Sequence, residues 1–282
     1  MAVLTVRGLC KAYPSFTLDH VSFSMEKGRI MGLIGRNGAG KTTVLRSIQH
    51  LLHPDAGDIR FFDLPFSPNE LAIRQRVGFA AGGVDFYRKK KLKVIADVTR
   101  RFYPNWDENA YRNYLRRFSL DENKTPDQLS AGMRVKFSLA LALSHRAELL
   151  LLDEPTSGLD PVSRDELLTL LMELARENVS ILFSTHIISD LEKCADDITY
   201  IQTGKIFCSQ PLSDFAAAYW LVEGTDENIS PALGEKLIGK KIAKAGFTAL
   251  LKKEDASLCP LPLRPASLEE IMIHLEKEAE KP

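Results

Sequence analysis

The sequence predicts an α/β protein built on a mostly parallel sheet, with an antiparallel β subdomain, a helical subdomain and a small C-terminal α+β extension. Three observations predict it. Short apolar runs at Arg29-Ile30-Met31-Gly32-Leu33-Ile34, Leu149-Leu150-Leu151-Leu152 and Val179-Ser180-Ile181-Leu182-Phe183-Ser184 suit strands covered on both faces. Helical spacing follows the first two runs: Val44, Leu45, Ile48, Leu51 and Leu52 after one, and Leu167, Leu168, Leu171 and Leu174 after the other. By contrast, residues 3–7 and 18–26 alternate, with Val21, Phe23 and Met25 on one face and Ser22, Ser24 and Glu26 on the other, as half-buried antiparallel strands do.

The first strand-to-helix junction carries Gly35-Arg36-Asn37-Gly38-Ala39-Gly40-Lys41-Thr42-Thr43, which fits the phosphate-loop pattern G-x-x-x-x-G-K-[ST] without a mismatch. Glycines there let the backbone turn tightly and aim several N–H groups at one anion, at the positive end of the following helix. Lys41 adds a mobile charge for the β- and γ-phosphates, and the Thr42 hydroxyl suits a magnesium ion (Mg2+).

Composition narrows the partners. Lys+Arg and Asp+Glu are 37 each, so no overall basic field points to a nucleic acid, and none is expected as a partner. Cys10, Cys194, Cys208 and Cys259 are widely spaced, with no C-x-x-C pair and no His at metal-ligand spacing, and read as reduced thiols. The opening residues Met1 to Val6 form a strand pattern rather than a signal peptide. The apolar neighbourhood from Phe137 to Leu152 is interrupted by His145, Arg146 and Glu148, which argues against a membrane span.

Further along the chain, Tyr13 stands beside Pro14 in a turn, where its ring either packs or stacks on a flat base. His53 to Gly57 reads as a turn, Asp58 to Leu64 as a strand, and Val77-Gly78-Phe79-Ala80 as another. From Val84 to about Ala147 the pattern is mostly helical; the lysines of residues 88–93 read as a solvated face and Phe102, Tyr103 and Trp106 as a local core. Ser130, in Leu129-Ser130-Ala131-Gly132-Met133, is placed to cap the last of these helices. Asp153-Glu154 ends the Leu149–Leu152 run, at the strand edge where open α/β sheets bind ligands. Asp160 caps the next helix, with Pro161 at its first position, and Thr185-His186 leaves the third apolar strand. Ile198 to Phe207 reads as a hairpin turning near Thr203-Gly204. Beyond about residue 210 the composition shifts, and Ser267-Leu268-Glu269-Glu270 is a capping box opening an amphipathic helix. The domains are therefore drawn at 1–210, with the helical subdomain at about 84–147, and 211–282.

The phosphate loop, Leu129-Ser130-Ala131-Gly132-Met133, Asp153-Glu154 and His186, in that order, resemble the ATP-binding subunits of ABC transporters over residues 1 to about 210. The middle motif discriminates, although it reads LSAGM where the commonest form is LSGGQ. The resemblance implies a P-loop NTPase with a RecA-like sheet, using ATP and magnesium and acting as a head-to-tail dimer with an identical or closely related ATP-binding subunit. It implies separate transmembrane permease subunits as partners, and a peripheral position on the cytoplasmic side of the membrane. By the same resemblance, Gly35, Arg36, Asn37, Gly38, Ala39, Gly40, Lys41, Thr42 and Thr43 hold nucleotide, Thr42 and Asp153 the metal. Glu154 orients or deprotonates the attacking water, His186 touches the γ-phosphate, and Tyr13 stacks on adenine. Ser130, Gly132 and Asp160 reach the partner's nucleotide.

One position departs from the family. Gly82 stands where a Gln or Glu normally meets the metal and water, with Asp85 three residues on as a possible substitute. The segment Phe102 to Trp106 and the C-terminal Ser267 to Met272 resemble a bacterial branch of peptide and antibiotic exporters. Two other classes stay open: a soluble ABC-type ATPase, and a weakly hydrolytic regulatory nucleotide binder. A distant likeness of Asn123-Lys124-Thr125-Pro126 to a guanine-reading motif fails, because Pro126 replaces the required Asp.

Overall fold

In the computed structural model the described residues are 1–81, 87–225, 229–243 and 246–280. Gly82 and Asp85 lie outside them. The chain divides into two compact units, Met1–Ser209 and Gln210–Pro282.

The first unit opens with β1 (Ala2–Tyr13) and β2 (Phe16–Glu26), which pair antiparallel from Ala2–Glu26 to Tyr13–Phe16. Tyr13 is thus the last strand residue rather than a turn residue. The buried strand β3 (Ile30–Ile34) then runs into the glycine loop and α1 (Lys41–Ile48). Leu51 and Leu52, expected on that helix, lie beyond it, and Leu51 is exposed. The cause is His50, at φ 55: the His50 N–H bonds Ser47 O and the Leu51 N–H bonds Arg46 O, a Schellman ending with histidine in glycine's usual place. The imidazole is held by stacking 3.6 Å from the Phe66 ring.

The strand expected at Asp58–Leu64 is two. β4 (Ala56–Phe61) and β5 (Leu64–Pro65) form a hairpin through Phe62 and Asp63, both with positive φ, the geometry a two-residue hairpin turn needs. With β1 and β2 they make a four-stranded sheet ordered β2-β1-β4-β5. Next come α2 (Phe66–Arg76) and β6 (Val77–Ala81). The helical segment holds α3 (Leu92–Thr99), α4 (Glu108–Arg117) and α5 (Ala131–Ser144). Of its aromatics, Tyr103 stacks 3.8 Å from His145 and Trp106 lies 5.3 Å from Tyr111, whereas Phe102 is exposed.

The second sheet is completed by β7 (Leu149–Asp153), α6 (Pro161–Arg176), β8 (Ser180–Thr185), α7 (Ile188–Cys194), β9 (Asp197–Gln202) and β10 (Lys205–Pro211). Its order is β10-β9-β3-β8-β7-β6, with β9, β3, β8, β7 and β6 mutually parallel. Ile30 to Ile34, Leu149 to Leu152 and Ile181 to Phe183 are all buried, as continuous apolar runs covered on both sides must be. Leu167, Leu168, Leu171 and Leu174 of α6 are buried as their spacing requires. Truncating the fully buried Leu171 to alanine would cost about 2–5 kcal/mol. The crossovers leave the carboxyl ends of β3, β7 and β8 side by side. That is where the chemical residues gather.

The second unit contains α8 (Leu212–Ala217), β11 (Tyr219–Gly224), α9 (Pro231–Gly234), β12 (Ile238–Ala243), β13 (Gly246–Lys252), β14 (Leu263–Pro265) and α10 (Leu268–Ala279). Its strands pair antiparallel in the order β12-β13-β11-β14. α10 grips a single residue of β12 by both its backbone groups: His274 Nδ1 lies 2.7 Å from Gly239 O, and the Gly239 N–H donates to Glu278 Oε2 at 2.5 Å. Gly239 has φ 59, and a Cβ there would meet His274 O at 1.8 Å, so only glycine allows this contact.

Candidate functional site

The glycine loop turns between β3 and α1 because Gly38 and Gly40 take φ 85 and φ 113. Side chains at Gly35 and Gly40 would collide with Ile201 O at 2.3 Å and Leu18 Cδ2 at 2.6 Å. The loop is braced from outside as well: the Gly204 N–H, in the β9–β10 turn, donates to Ala39 O at 3.1 Å, and the Ala39 N–H donates to Arg36 O at 3.1 Å. Asn37 is exposed, whereas Ala39 is buried. Thr43 O accepts the Ser47 hydroxyl at 2.9 Å.

Lys41 is 5% exposed and folds back into its own loop, donating from Nζ to Gly35 O at 2.8 Å and Arg36 O at 3.1 Å. Burial lowers its pKa from the ordinary lysine value, and the nearby Glu154 and Asp153 partly offset this. Nζ lies 3.9 Å from Glu154 Oε1. Thr42 Oγ1, at the first turn of α1, is 3.4 Å from Asp153 Oδ1. Glu154 follows β7 at φ 47, an uncommon backbone for a residue with a side chain, and its Oε2 is 3.1 Å from His186 Nδ1. Lys41, Thr42, Asp153, Glu154 and His186 therefore meet at one edge of the sheet. The hydroxyl and carboxylate of Thr42 and Asp153 are hard oxygen donors of the kind magnesium takes, beside a buried lysine, so the residues fit that ion.

Ser130, Gly132 and Asp160 form a separate group. Ser130 caps α5, accepting the Met133 N–H at 3.2 Å, and Asp160 caps α6, accepting from Val162 and Ser163, both at 3.0 Å. The Ser163 side chain first, and then the Ser163 and Val162 N–H groups, hold the Asp160 carboxylate below its ordinary pKa. Gly132 is buried against α6, where a Cβ would sit 3.4 Å from Ser163 Cβ. The two helix starts thus pack together, joined also by Lys136 and Glu166 at 2.5 Å.

Tyr13 is 40% exposed at the end of β1, with its ring 6.5 Å from that of Phe16. Phe16 Cζ lies 2.8 Å from where a Gly40 Cβ would be, so this aromatic pair borders the loop. The sequence reading passed over Phe16; its signal was an aromatic just across the turn from Tyr13. Ser184 was passed over too, although it stands two residues before His186 on the strand between β3 and β7. A buried network joins residues far apart in the sequence: Asp190, fully buried, is bonded by Thr156 Oγ1 and Arg164 Nε, both at 2.5 Å.

The four thiols are free. Burial pushes Cys194 up to about 12 and Cys208 up to about 11. Contrary to the spacing argument, strand pairing brings Cys10, Asp19 and His20 within 4.8 Å of one another. Asp19 is already engaged there, by His20 Nδ1 at 2.5 Å and Lys205 Nζ at 3.0 Å. Among the described residues, no helix is long and apolar enough to cross a membrane.

Comparison with known proteins gives the same picture as the geometry. The sequence model of a family described as ABC transporter matches residues 18–157. The ABC transporter ATP-binding protein YtrB of Bacillus subtilis is 32% identical over 282 residues, covering 98% of this chain and 96% of that protein. The bacitracin transport ATP-binding protein BcrA of Bacillus licheniformis is 34% identical over 208 residues, 72% of this chain and 68% of that protein. Among solved structures, an ATP-binding subunit of an ABC transporter superposes with a TM-score of 0.68 at 27% identity, over 75% of this chain and 91% of that one. CbiO1 from Clostridium perfringens, part of the CbiONQ complex, does so with a TM-score of 0.65 at 25% identity, over 76% and 90%. An end-to-end relative and a shared P-loop NTPase fold leave one assignment: this chain belongs to the family of ABC transporter ATP-binding proteins.

Proposed function

We infer that the chain is the ATP-hydrolysing subunit of a membrane exporter of peptides or antibiotics, acting as a head-to-tail dimer beneath separate transmembrane subunits on the cytoplasmic side. The observation that carries the hydrolytic part is the meeting of Lys41, Asp153, Glu154 and His186 within hydrogen-bond or ion-pair range of one another or of Thr42. Support for the cargo class is the name of the bacitracin transport relative.

In this reading the loop amides and Lys41 hold the β- and γ-phosphates, and Lys41 leaves its bonds to Gly35 and Arg36 for the anion. Thr42 and Asp153 would hold magnesium, which would supply positive charge to neutralise the phosphates. Glu154 accepts a proton from water or orients it, and His186 steadies the Glu154 carboxylate from 3.1 Å while facing the γ-phosphate. Phosphoryl transfer asks mainly for such positioning and charge compensation. Tyr13, 40% exposed, offers a ring to adenine. Ser130 and Gly132 at the start of α5, with Asp160 at the start of α6, would face the nucleotide of a second copy. A helix N-terminus favours an anion, so ATP would be gripped between two positive ends.

The test is ATP hydrolysis and assembly of the purified full chain. Magnesium-dependent phosphate release from wild type, together with an ATP-bound dimer of Glu154→Gln on size exclusion, is expected. No hydrolysis by wild type, alone or with a co-purified membrane subunit, would overturn it.

A further inference from the structure

Strand β8 follows its apolar Ile181-Leu182-Phe183 stretch with a buried hydroxyl at Ser184. Ser184 has no exposed surface and lies in register between Leu33 of β3 and Asp153 of β7. Its Oγ makes two bonds of opposite sense: it donates to Asp153 Oδ1 at 2.6 Å and accepts the Glu154 N–H at 2.9 Å. A hydroxyl has one proton to give. Giving it to Asp153 therefore turns a lone pair toward Glu154, and the two bonds fix each other.

Both neighbours need holding. The Asp153 oxygen that Ser184 engages also lies 3.4 Å from Thr42 Oγ1, so the bond sets how the carboxylate is rotated beside the Thr42 hydroxyl. Glu154 sits at φ 47, and the Ser184 oxygen is the acceptor for its N–H in that left-handed turn. That turn aims the Glu154 side chain back toward Lys41 and His186, at 3.9 and 3.1 Å, rather than along the strand.

We propose that Ser184 is a positioning residue for hydrolysis: its single hydroxyl orients the Asp153 carboxylate toward the metal and sets the backbone from which Glu154 reaches the attacking water. This rests on the roles given above to Asp153 and Glu154. Partners one shell out from a metal ligand are worth about ten- to a hundredfold in metal affinity or activity, so the effect is measurable.

The experiment titrates Mn2+ into the purified full chain with a non-hydrolysable ATP analogue, following free Mn2+ by electron spin resonance. Ser184→Ala should weaken Mn2+ binding about tenfold or more while nucleotide affinity without metal stays within about threefold, because Lys41 and the loop are untouched. Steady-state hydrolysis should lose kcat rather than raise KM for ATP. Ser184→Thr keeps the hydroxyl and should restore Mn2+ affinity; Ser184→Cys, close in shape with a weak donor, serves in place of the alanine variant if that one does not fold. Equal losses in the alanine and threonine variants would make Ser184 a packing residue and overturn the proposal. So would wild-type Mn2+ affinity in Ser184→Ala when Asp153→Asn has lost it. If Asp153→Asn itself binds Mn2+ normally, the role of Asp153 fails and this inference falls with it.

Discussion

The ammonium of Lys41 lies 3.9 Å from the carboxylate of Glu154, and the two groups follow the two strands that flank β8, one after β3 and one after β7. Nζ is also bonded to Gly35 O and Arg36 O, at 2.8 and 3.1 Å. In the proposed reading a phosphate would exchange these carbonyl partners for a charged one, which is the stronger bond.

Replacing Lys41 with alanine should remove that exchange and lower ATP affinity about ten- to a hundredfold, the worth of roughly 1.5–3 kcal/mol for hydrogen bonds to charged groups. The fold should persist, since a buried cation already pushed toward its neutral form is lost along with the cost of burying it. Isothermal titration of the folded variant with ATP checks this, and unchanged affinity would contradict it.

Glu154→Gln keeps the side chain's shape but removes its basicity. Hydrolysis should fall at least about a hundredfold, the range for a general base, with ATP still bound. Phosphate release, read beside size exclusion in ATP and magnesium, distinguishes a lost base from a lost site.

Lys90 and Lys91 are exposed, whereas the neighbouring Arg88 is paired with Asp127 at 2.9 Å. Reversing both lysines to glutamate should leave the melting temperature and ATP binding nearly unchanged, because exposed substitutions usually shift stability by about 0.5 kcal/mol or less. Weaker co-purification with a membrane subunit is the expected outcome of a docking role; unchanged recovery assigns these charges to solvent.

In the second unit, Glu270 is held down to about 2 by the Arg264 guanidinium and then by its bonds to Ser267. A carboxylate depressed in the folded state stabilises it fully above its ordinary value near 4.5, and that contribution is lost as pH falls toward about 2. Amides of α10 should therefore lose hydrogen-exchange protection across that window in wild type and change less in Glu270→Gln. Ser267→Ala, which removes the reciprocal cap, should cost about 1 kcal/mol at neutral pH.

What the sequence determined by itself was whatever is written in local order. The glycine loop, the caps at Ser130, Asp160 and Ser267, and the continuous Leu149–Leu152 strand ending in Asp153-Glu154 each depend on residues a few positions apart. Local backbone geometry and apolar periodicity dictate these directly. Tertiary structure alone decided what crosses between strands or needs a strained backbone. Ser184 acquires its partners only because β8 lies between β3 and β7, 31 positions from Asp153. Helix α1 stops at a left-handed His50, and the β4–β5 hairpin turns at Phe62 and Asp63, where the turn carries no glycine to announce it. Cys10 meets Asp19 and His20 through strand pairing rather than spacing. A non-glycine residue holds positive φ only when surrounding contacts outweigh its local preference, and those contacts exist once the sheets have assembled.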